Sequence, residues 1–116
     1  MITRQTARNA AVLFCVSLYF VVLVPPVLAG DVAQGRQKAR QCQVCHGYDG
    51  IGKNPEVPHI AGKNSVYLTK QLKAFRSGAG RHAQMSIIAK GLSDEDISNH
   101  AAYCASIKIS VEVPTY

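Results

Sequence analysis

The chain has 116 residues, four cysteines, no tryptophan and a formal net charge of +6. Its length suits a single domain, and a hydrophobic content of 47% with 17% charged residues excludes a disordered or collagen-like chain. We expect no nucleic-acid partner, because basic charge alone does not indicate one.

The first 29 residues have the pattern of a secretory signal peptide. Two arginines give a basic start, an apolar run extends from Ala10 to Val24, and a small-residue cleavage site ends at Ala29. We therefore predict a signal peptide over 1–29 and a mature domain over 30–116 in the periplasm. The alternative is an uncleaved membrane anchor, but a run of 15 residues is short for a membrane span of about 20.

The predicted mature domain opens with a helix and retains three cysteines. Asp31 is placed to cap a helix that runs to about Gln41, and Gln34 occupies the capping-box position. The three cysteines are an odd number, which argues against a framework made only of disulfides. Because a domain of this size buries only a modest core, we expect a covalent link or a bound metal other than disulfides to stabilise the fold.

Residues 42–46, Cys-Gln-Val-Cys-His, form the C-x-x-C-H signature for attachment of c-type haem. With two residues between them, Cys42 and Cys45 can reach the two vinyl groups on one edge of the porphyrin. His46 then lies beneath the iron as the proximal ligand. The motif occurs once, so we predict one covalent haem c.

Three other sites could use these cysteines: a zinc site, a redox dithiol or a simple disulfide. Zinc would need a second pair of ligands, and the remaining histidines lack finger spacing. A thioredoxin-like dithiol would be expected in a βαβ context, which the sequence does not indicate.

The next segment, from Gly47 to Gly62, contains four glycines and two prolines, which predicts an irregular loop around one haem edge. A second helix is predicted to begin at Asn64 or Ser65 and to end at the glycines 78 and 80. Its expected buried stripe is Val66, Leu68, Leu72 and Phe75.

A short helical turn is predicted from Met85 to Lys90. Met85 is the only methionine of the mature chain and is the favoured sixth ligand of the iron. A thioether opposite histidine raises the haem potential and closes the iron to other ligands. His82, or an open iron, is the alternative.

The last helix has the clearest local signature. Ser93 is its N-cap, Asp96 occupies N3, and Leu92 with Ile97 can form a hydrophobic staple. Its apolar face is predicted to comprise Ile97, Ala101, Cys104 and Ile107. No fixed structure is assigned to the tail, residues 108–116. The fold class is therefore all-α, with three to four short helices wrapped around the haem.

These motifs resemble the class I cytochromes c, and more narrowly the small bacterial cytochromes of the c4 and c553 type. The resemblance extends from about residue 31 to residue 107. It rests on Cys42-x-x-Cys45-His46-Gly47, the loop Pro58-His59-Ile60-Ala61-Gly62, the helix containing Tyr67-Leu68 and Gln71 to Arg76, and the last helix. It implies that Pro58 and Ile60 belong to the haem-binding loop and that the Pro58 carbonyl accepts a hydrogen bond from His46. It also implies that the first and last helices cross at Gly35, beside Tyr103.

Three features depart from the c4 pattern. The chain has one such domain where the c4 proteins have two. His100 stands where leucine is usual, either as a histidine at a partly buried helix edge or as a pH-sensitive group near the haem. Cys104 replaces a common tyrosine, either as a buried thiol or as a reactive or intermolecular one.

The resemblance and the motif predict a periplasmic one-electron carrier, not an enzyme, with no catalytic residues and with iron ligated by His46 and Met85. The alternatives are a haem-bearing subunit of a flavocytochrome-like dehydrogenase complex and a five-coordinate gas-binding or peroxidatic protein. Partners would be redox proteins of the periplasm. Contact with a membrane would come only through a partner oxidase or reductase, or through an uncleaved leader. Six basic residues could steer docking or could form an ordinary solvated face: Arg36, Lys38, Arg40, Lys70, Lys73 and Arg76.

Overall fold

The computed structural model describes residues 29–116, so the predicted signal peptide lies outside the described residues except for Ala29. This part of the chain contains five helices and no strand. They are α1 (Val32–Lys38), α2 (Arg40–His46), α3 (Ser65–Ser77), α4 (Ala83–Lys90) and α5 (Asp94–Ser106). The all-α prediction is confirmed. Between residues 29 and 116, no helix has both the length and the apolar character that a membrane span requires.

The single first helix predicted up to Gln41 is in fact two helices, so the helix count exceeds the expected three to four. The break is one residue, Ala39, which is buried and whose N–H donates to the Gly35 carbonyl at 2.9 Å. Its backbone stays in the right-handed helical region, with φ −69° and ψ −4°. Because the break contains neither glycine nor proline, the sequence gives no signal of it.

Helix α1 packs closely across α5 at a glycine. A Cβ built on Gly35 would lie 2.0 Å from the backbone oxygen of Asn99 and 2.9 Å from the Cβ of Tyr103. The crossing expected at Gly35 beside Tyr103 is therefore confirmed. The cap of α1 joins the same contact: Asp31 accepts the Gln34 N–H at 3.0 Å, while its own N–H donates to the Asn99 side chain at 2.6 Å.

Helices α3 and α5 begin at the predicted capping residues. Asn64 caps α3 and accepts the N–H groups of residues 66 and 67, and Gly78 ends that helix with a φ of 81°. Ser93 and Asp96 form the complete capping box of α5. Helix α4 begins at Ala83, two residues earlier than predicted, because His82 caps it.

Two small buried clusters lie where α3 meets α4 and α5. One contains Leu68, Ala101 and Cys104, and the other contains Ala89, Leu92 and Ile97. Val66 was wrongly placed in the buried stripe of α3, since its side chain is 75% exposed. It lies two residues before Leu68, so at 100° per residue it points to the opposite side of the helix.

Candidate haem-binding site

A cavity of about 520 Å³ lies among α2, the loop that follows it, and helices α3, α4 and α5. This volume is in the range of cofactor and small-molecule sites. The structure brings all the predicted site residues to its wall: Cys42, Cys45, His46, Pro58, Ile60 and Met85.

His46, the last residue of α2, is buried and has a fixed ring orientation. Its Nδ1 lies 2.9 Å from the carbonyl oxygen of Pro58. A carbonyl can only accept, so Nδ1 carries the proton and donates. The other ring nitrogen, Nε2, is therefore the lone-pair nitrogen that can bind a metal. This is the hydrogen bond that the resemblance implied.

The loop that holds Pro58 is fixed by its own backbone. The Gly50 carbonyl accepts the N–H groups of Ile60 and Ala61 at 2.8 and 3.1 Å. The Gly62 N–H donates to the Cys104 carbonyl at 2.9 Å and so ties the loop to α5. The irregular loop predicted between residues 47 and 62 is thus a defined support for His46.

The two motif cysteines differ in exposure along α2. Cys42 is partly buried, which raises the pKa of its thiol above the usual value, and the neighbouring Cys45 raises it further. Cys45 is exposed. Between residues 29 and 116, no three His, Cys, Asp or Glu side chains are grouped as a metal ion would require.

Met85 and His82 both reach the cavity from the start of α4. His82 is the N-cap of that helix, and its Nδ1 accepts the Met85 N–H at 3.3 Å. Its ring also packs edge-on against Phe75, with centroids 6.4 Å apart. One nitrogen of the rival ligand is therefore engaged in holding the helix that carries Met85.

His100 and Cys104 line the cavity from α5, one helical turn apart. His100 is only 3% exposed, so the expectation of a partly buried helix edge is wrong. Its Nδ1 donates to the Asp96 carbonyl at 2.6 Å, and within residues 29–116 its Nε2 has no hydrogen-bond partner. Cys104 is buried as expected. Burial, and then proximity to Cys42, raises its pKa to about 11.

Sequence reasoning missed several residues of the cavity wall, among them Gln71 and Ile88. Each lies one helical turn from a predicted residue, Gln71 three after Leu68 and Ile88 three after Met85. Helical spacing from those positions was the available signal.

Half of the predicted basic patch is engaged in ion pairs with α5. Lys38 bonds to Asp96, while Arg76 and Lys73 approach Asp94, the latter at 3.9 Å. The hydrogen bond from Arg76 and the charge of Lys73 lower the pKa of Asp94. The other three predicted residues form no salt bridge within the described range: Arg36, Arg40 and Lys70.

The donor set fits a covalently attached haem. Two thiols lie on one helix beside an imidazole whose Nε2 is free to bind iron, and a thioether lies on another wall of the same cavity. A metal-bound histidine usually donates its other ring N–H to a carbonyl or carboxylate, and the Pro58 carbonyl is that partner for His46.

Comparison with known proteins gives concordant matches. The family model described as Cytochrome c matches residues 32–108. Cytochrome c-554(548) of Halomonas halodenitrificans is 46% identical over 81 residues, which cover 67% of this chain and 98% of that protein. Cytochrome c4 of Pseudomonas aeruginosa is 42% identical over 83 residues, which cover 72% of this chain and 41% of that protein.

Among solved structures, reduced recombinant cytochrome c4 from Pseudomonas stutzeri superposes with a TM-score of 0.65 at 37% identity. The match covers 72% of this chain and 48% of that one. The present chain therefore spans less than half of each of these two c4 proteins, and nearly all of c-554(548).

Proposed function

This chain belongs to the cytochrome c family of haem-carrying electron carriers, and from that premise we propose that His46 and Met85 ligate its haem iron. The family match confirms the predictions of haem c, of redox proteins as partners, and of an electron carrier rather than an enzyme. The ligand set and the periplasmic location are the finer parts of the proposal.

The hydrogen bond from His46 to Pro58 carries the proposal. It fixes the tautomer in which Nε2 is the metal-binding nitrogen, and it holds the ring by a loop that is itself fixed at Gly50. Donation to a carbonyl also makes the imidazole more basic, which strengthens it as a ligand. Met85 supports the pair because it enters the same cavity from a separate helix.

When bound, the haem supplies the iron that takes up and releases one electron. The chain holds and shields it: Cys42 and Cys45 attach the ring, while the buried cluster around Leu68, which lines the cavity, keeps water from it. The attachment side remains at the surface, where Val44 and Tyr48 are 84% and 85% exposed. We propose this side as the place where electrons enter and leave.

The test is an absorption spectrum of the exported protein, oxidised and reduced, with and without carbon monoxide. A haem band that stays with the denatured chain, a weak far-red methionine-to-iron band, and no response to carbon monoxide support the proposal. Carbon monoxide binding by the native ferrous protein would instead favour the five-coordinate, gas-binding or peroxidatic alternative.

Two variants separate the candidate ligands. Met85→Ala should lose the far-red band and bind carbon monoxide, because it removes the thioether. His82→Asn is the matched control, since asparagine retains a capping acceptor but has no imidazole. If His82→Asn allows carbon monoxide to bind the iron and Met85→Ala does not, His82 is the sixth ligand.

The periplasmic location and the partners need separate measurements. Cleavage before Gly30, read from the N-terminal sequence of the exported protein, supports a cleaved signal peptide; a retained leader supports the anchor. Co-purification with a flavoprotein would favour the dehydrogenase-subunit alternative over a free carrier. Steering by Arg36, Arg40 and Lys70 predicts electron-transfer rates that fall as ionic strength rises.

A further inference from the structure

The C-terminal tail has a pattern that the electron-carrier function does not use. The match to the family model ends at residue 108. From Ile107 to Val113 the sequence Ile-Lys-Ile-Ser-Val-Glu-Val alternates apolar and polar residues, as in a strand with one buried face. Ile107 has extended backbone angles, with φ −67° and ψ 121°. The tail therefore has the sequence pattern of a strand and leaves α5 through a residue with extended backbone angles.

The apolar side of this segment has little cover in the structure. Ile109 is 55% exposed, Val111 77% and Val113 80%. Within the part of the chain that the structure describes, residues 108–116 form no backbone hydrogen bond. The tail thus has a strand pattern and open backbone groups but no neighbouring strand.

We propose that the tail pairs with the tail of a second copy of this chain, as an antiparallel two-stranded ladder centred on Ser110. The two subunits would then be related by a twofold axis, with the same surface used by each.

Charge complementarity selects this centre. Pairing about Ser110 sets Lys108 of each chain opposite Glu112 of the other, so two opposite-charge pairs form by symmetry. Moving one strand by two residues along the other places Lys108 opposite Ser110 or Pro114 instead. Moving it by one residue sets apolar residues opposite polar ones.

The same register suits the remaining side chains. It sets Ile109 of each chain opposite Val111 of the other, so branched apolar residues face each other on one side of the ladder. The charged pairs and the two copies of Ser110 then share the other side. The side chains on both sides of the ladder therefore agree with a centre at Ser110.

Pro114 lies beyond the end of this ladder. The position opposite it is Ser106, which is the last residue of α5, and the N–H of Ile107 already donates to the Cys104 carbonyl at 3.3 Å. The ladder therefore runs from Lys108 to Glu112. Proline, which lacks an N–H, does not extend it.

The apolar side of the ladder needs cover, because an isolated two-stranded ribbon is only marginally stable. Ile109 already lies over the loop of residues 47–62 that supports His46. A Cβ built on Gly62 of that loop would lie 3.0 Å from the Cγ1 of Ile109. The ribbon would therefore lie against this loop in both subunits. An interface of this kind is small, so we expect dimerisation that depends on protein concentration.

The first test is the molar mass of the holo-protein by sedimentation across a series of concentrations, for the natural tail and for a chain ending at Lys108. We expect a dimer that becomes a monomer without residues 109–116, with an unchanged haem spectrum. A natural chain that is monomeric at every concentration, or a shortened chain that still dimerises, would overturn the proposal.

The second test examines the register. Lys108→Glu and Glu112→Lys each set like charges opposite one another, and each should raise the dimer dissociation constant about tenfold. The double variant Lys108→Glu/Glu112→Lys should dimerise like the natural chain, and a mixture of the two single variants should form mixed dimers. Single variants with unchanged affinity, or a mixture that stays monomeric, would contradict pairing about Ser110.

Discussion

Gly35 in α1 and the backbone oxygen of Asn99 in α5 lie so close that a Cβ on the glycine would be 2.0 Å from that oxygen. The two helices meet there with nothing between their backbones. The Asn99 side chain extends the contact by accepting the Asp31 N–H at 2.6 Å. The crossing holds α5, which contributes His100 and Cys104 to the wall of the cavity that α2 also lines.

Gly35→Ala should therefore destabilise the protein, because the added methyl group forces the helices apart. We expect the free energy of unfolding to fall by about 3 kcal/mol, at the upper end for overpacking. Denaturant unfolding of the holo-protein, followed by haem absorbance and by helical circular dichroism, measures the change.

Gly91→Ala is the matched control for this substitution. Gly91 has no heavy atom within 4 Å of a built Cβ, and its φ is −86°, which alanine adopts freely. Its free energy of unfolding should change by no more than about 0.5 kcal/mol. If Gly35→Ala and Gly91→Ala lowered the free energy of unfolding equally, the close contact between the backbones of α1 and α5 would be contradicted.

His82 contributes to the site by capping the helix that carries Met85. His82→Ala removes the acceptor for the Met85 N–H, so the free energy of unfolding should fall by about 1 kcal/mol. His82→Asn should restore most of that loss, because asparagine is a good N-cap. On the proposed ligation, exogenous ligands should also displace Met85 from the iron faster in the alanine variant, which stopped-flow absorbance measures. Equal stability and equal ligand-exchange rates in both variants would contradict a capping role.

Asp96 makes the stability of the protein sensitive to acid. Its carboxylate accepts hydrogen bonds from Lys38 and from the backbone and hydroxyl of Ser93, and these lower its pKa from 3.8 to about 2. The folded state therefore favours the charged form. The resulting stabilisation is present above about pH 4 and is lost as the pH falls towards 2.

Asp96→Asn should accordingly be less stable than the natural chain near neutral pH, and the difference should shrink between pH 4 and 2. Denaturant unfolding at a series of pH values measures this. Glu95→Gln, on the same turn but outside the capping box, is the control and should show no such convergence. A stability difference that stayed constant down to pH 2 would contradict the role assigned to Asp96.

Local signals predicted much of this fold, and contacts between distant residues account for the errors. The capping box of α5 and the caps of α1 and α3 involve residues a few positions apart, so the sequence displays them. Asn99 accepts from a residue 68 positions away, which no local pattern encodes. The break at Ala39 and the burial of His100 likewise depend on which helices pack together.

The candidate site was more accessible to sequence reasoning than the packing around it. The two-residue spacing of Cys42 and Cys45 is dictated by the chemistry of haem attachment, and Met85 has no competing methionine in the mature chain. The burial of the His100 ring and the capping role of His82 required the three-dimensional arrangement. Both depend on how a ring is oriented, which residue spacing does not specify.

Cys104 should be the only free thiol of the mature holo-protein, and an unreactive one. Burial raises its pKa to about 11, so at pH 8 it remains a protonated thiol, and thiolate is the reactive form. We expect a thiol reagent to label the native protein very slowly and to label one site per chain after denaturation, because the haem occupies Cys42 and Cys45. Cys104→Ala should abolish that labelling. A second labelled site would indicate either a retained leader, through Cys15, or a haem held by one thioether, and the mass of the chain separates the two. Rapid labelling of the native protein at pH 8 would instead make Cys104 the reactive thiol that its burial argues against.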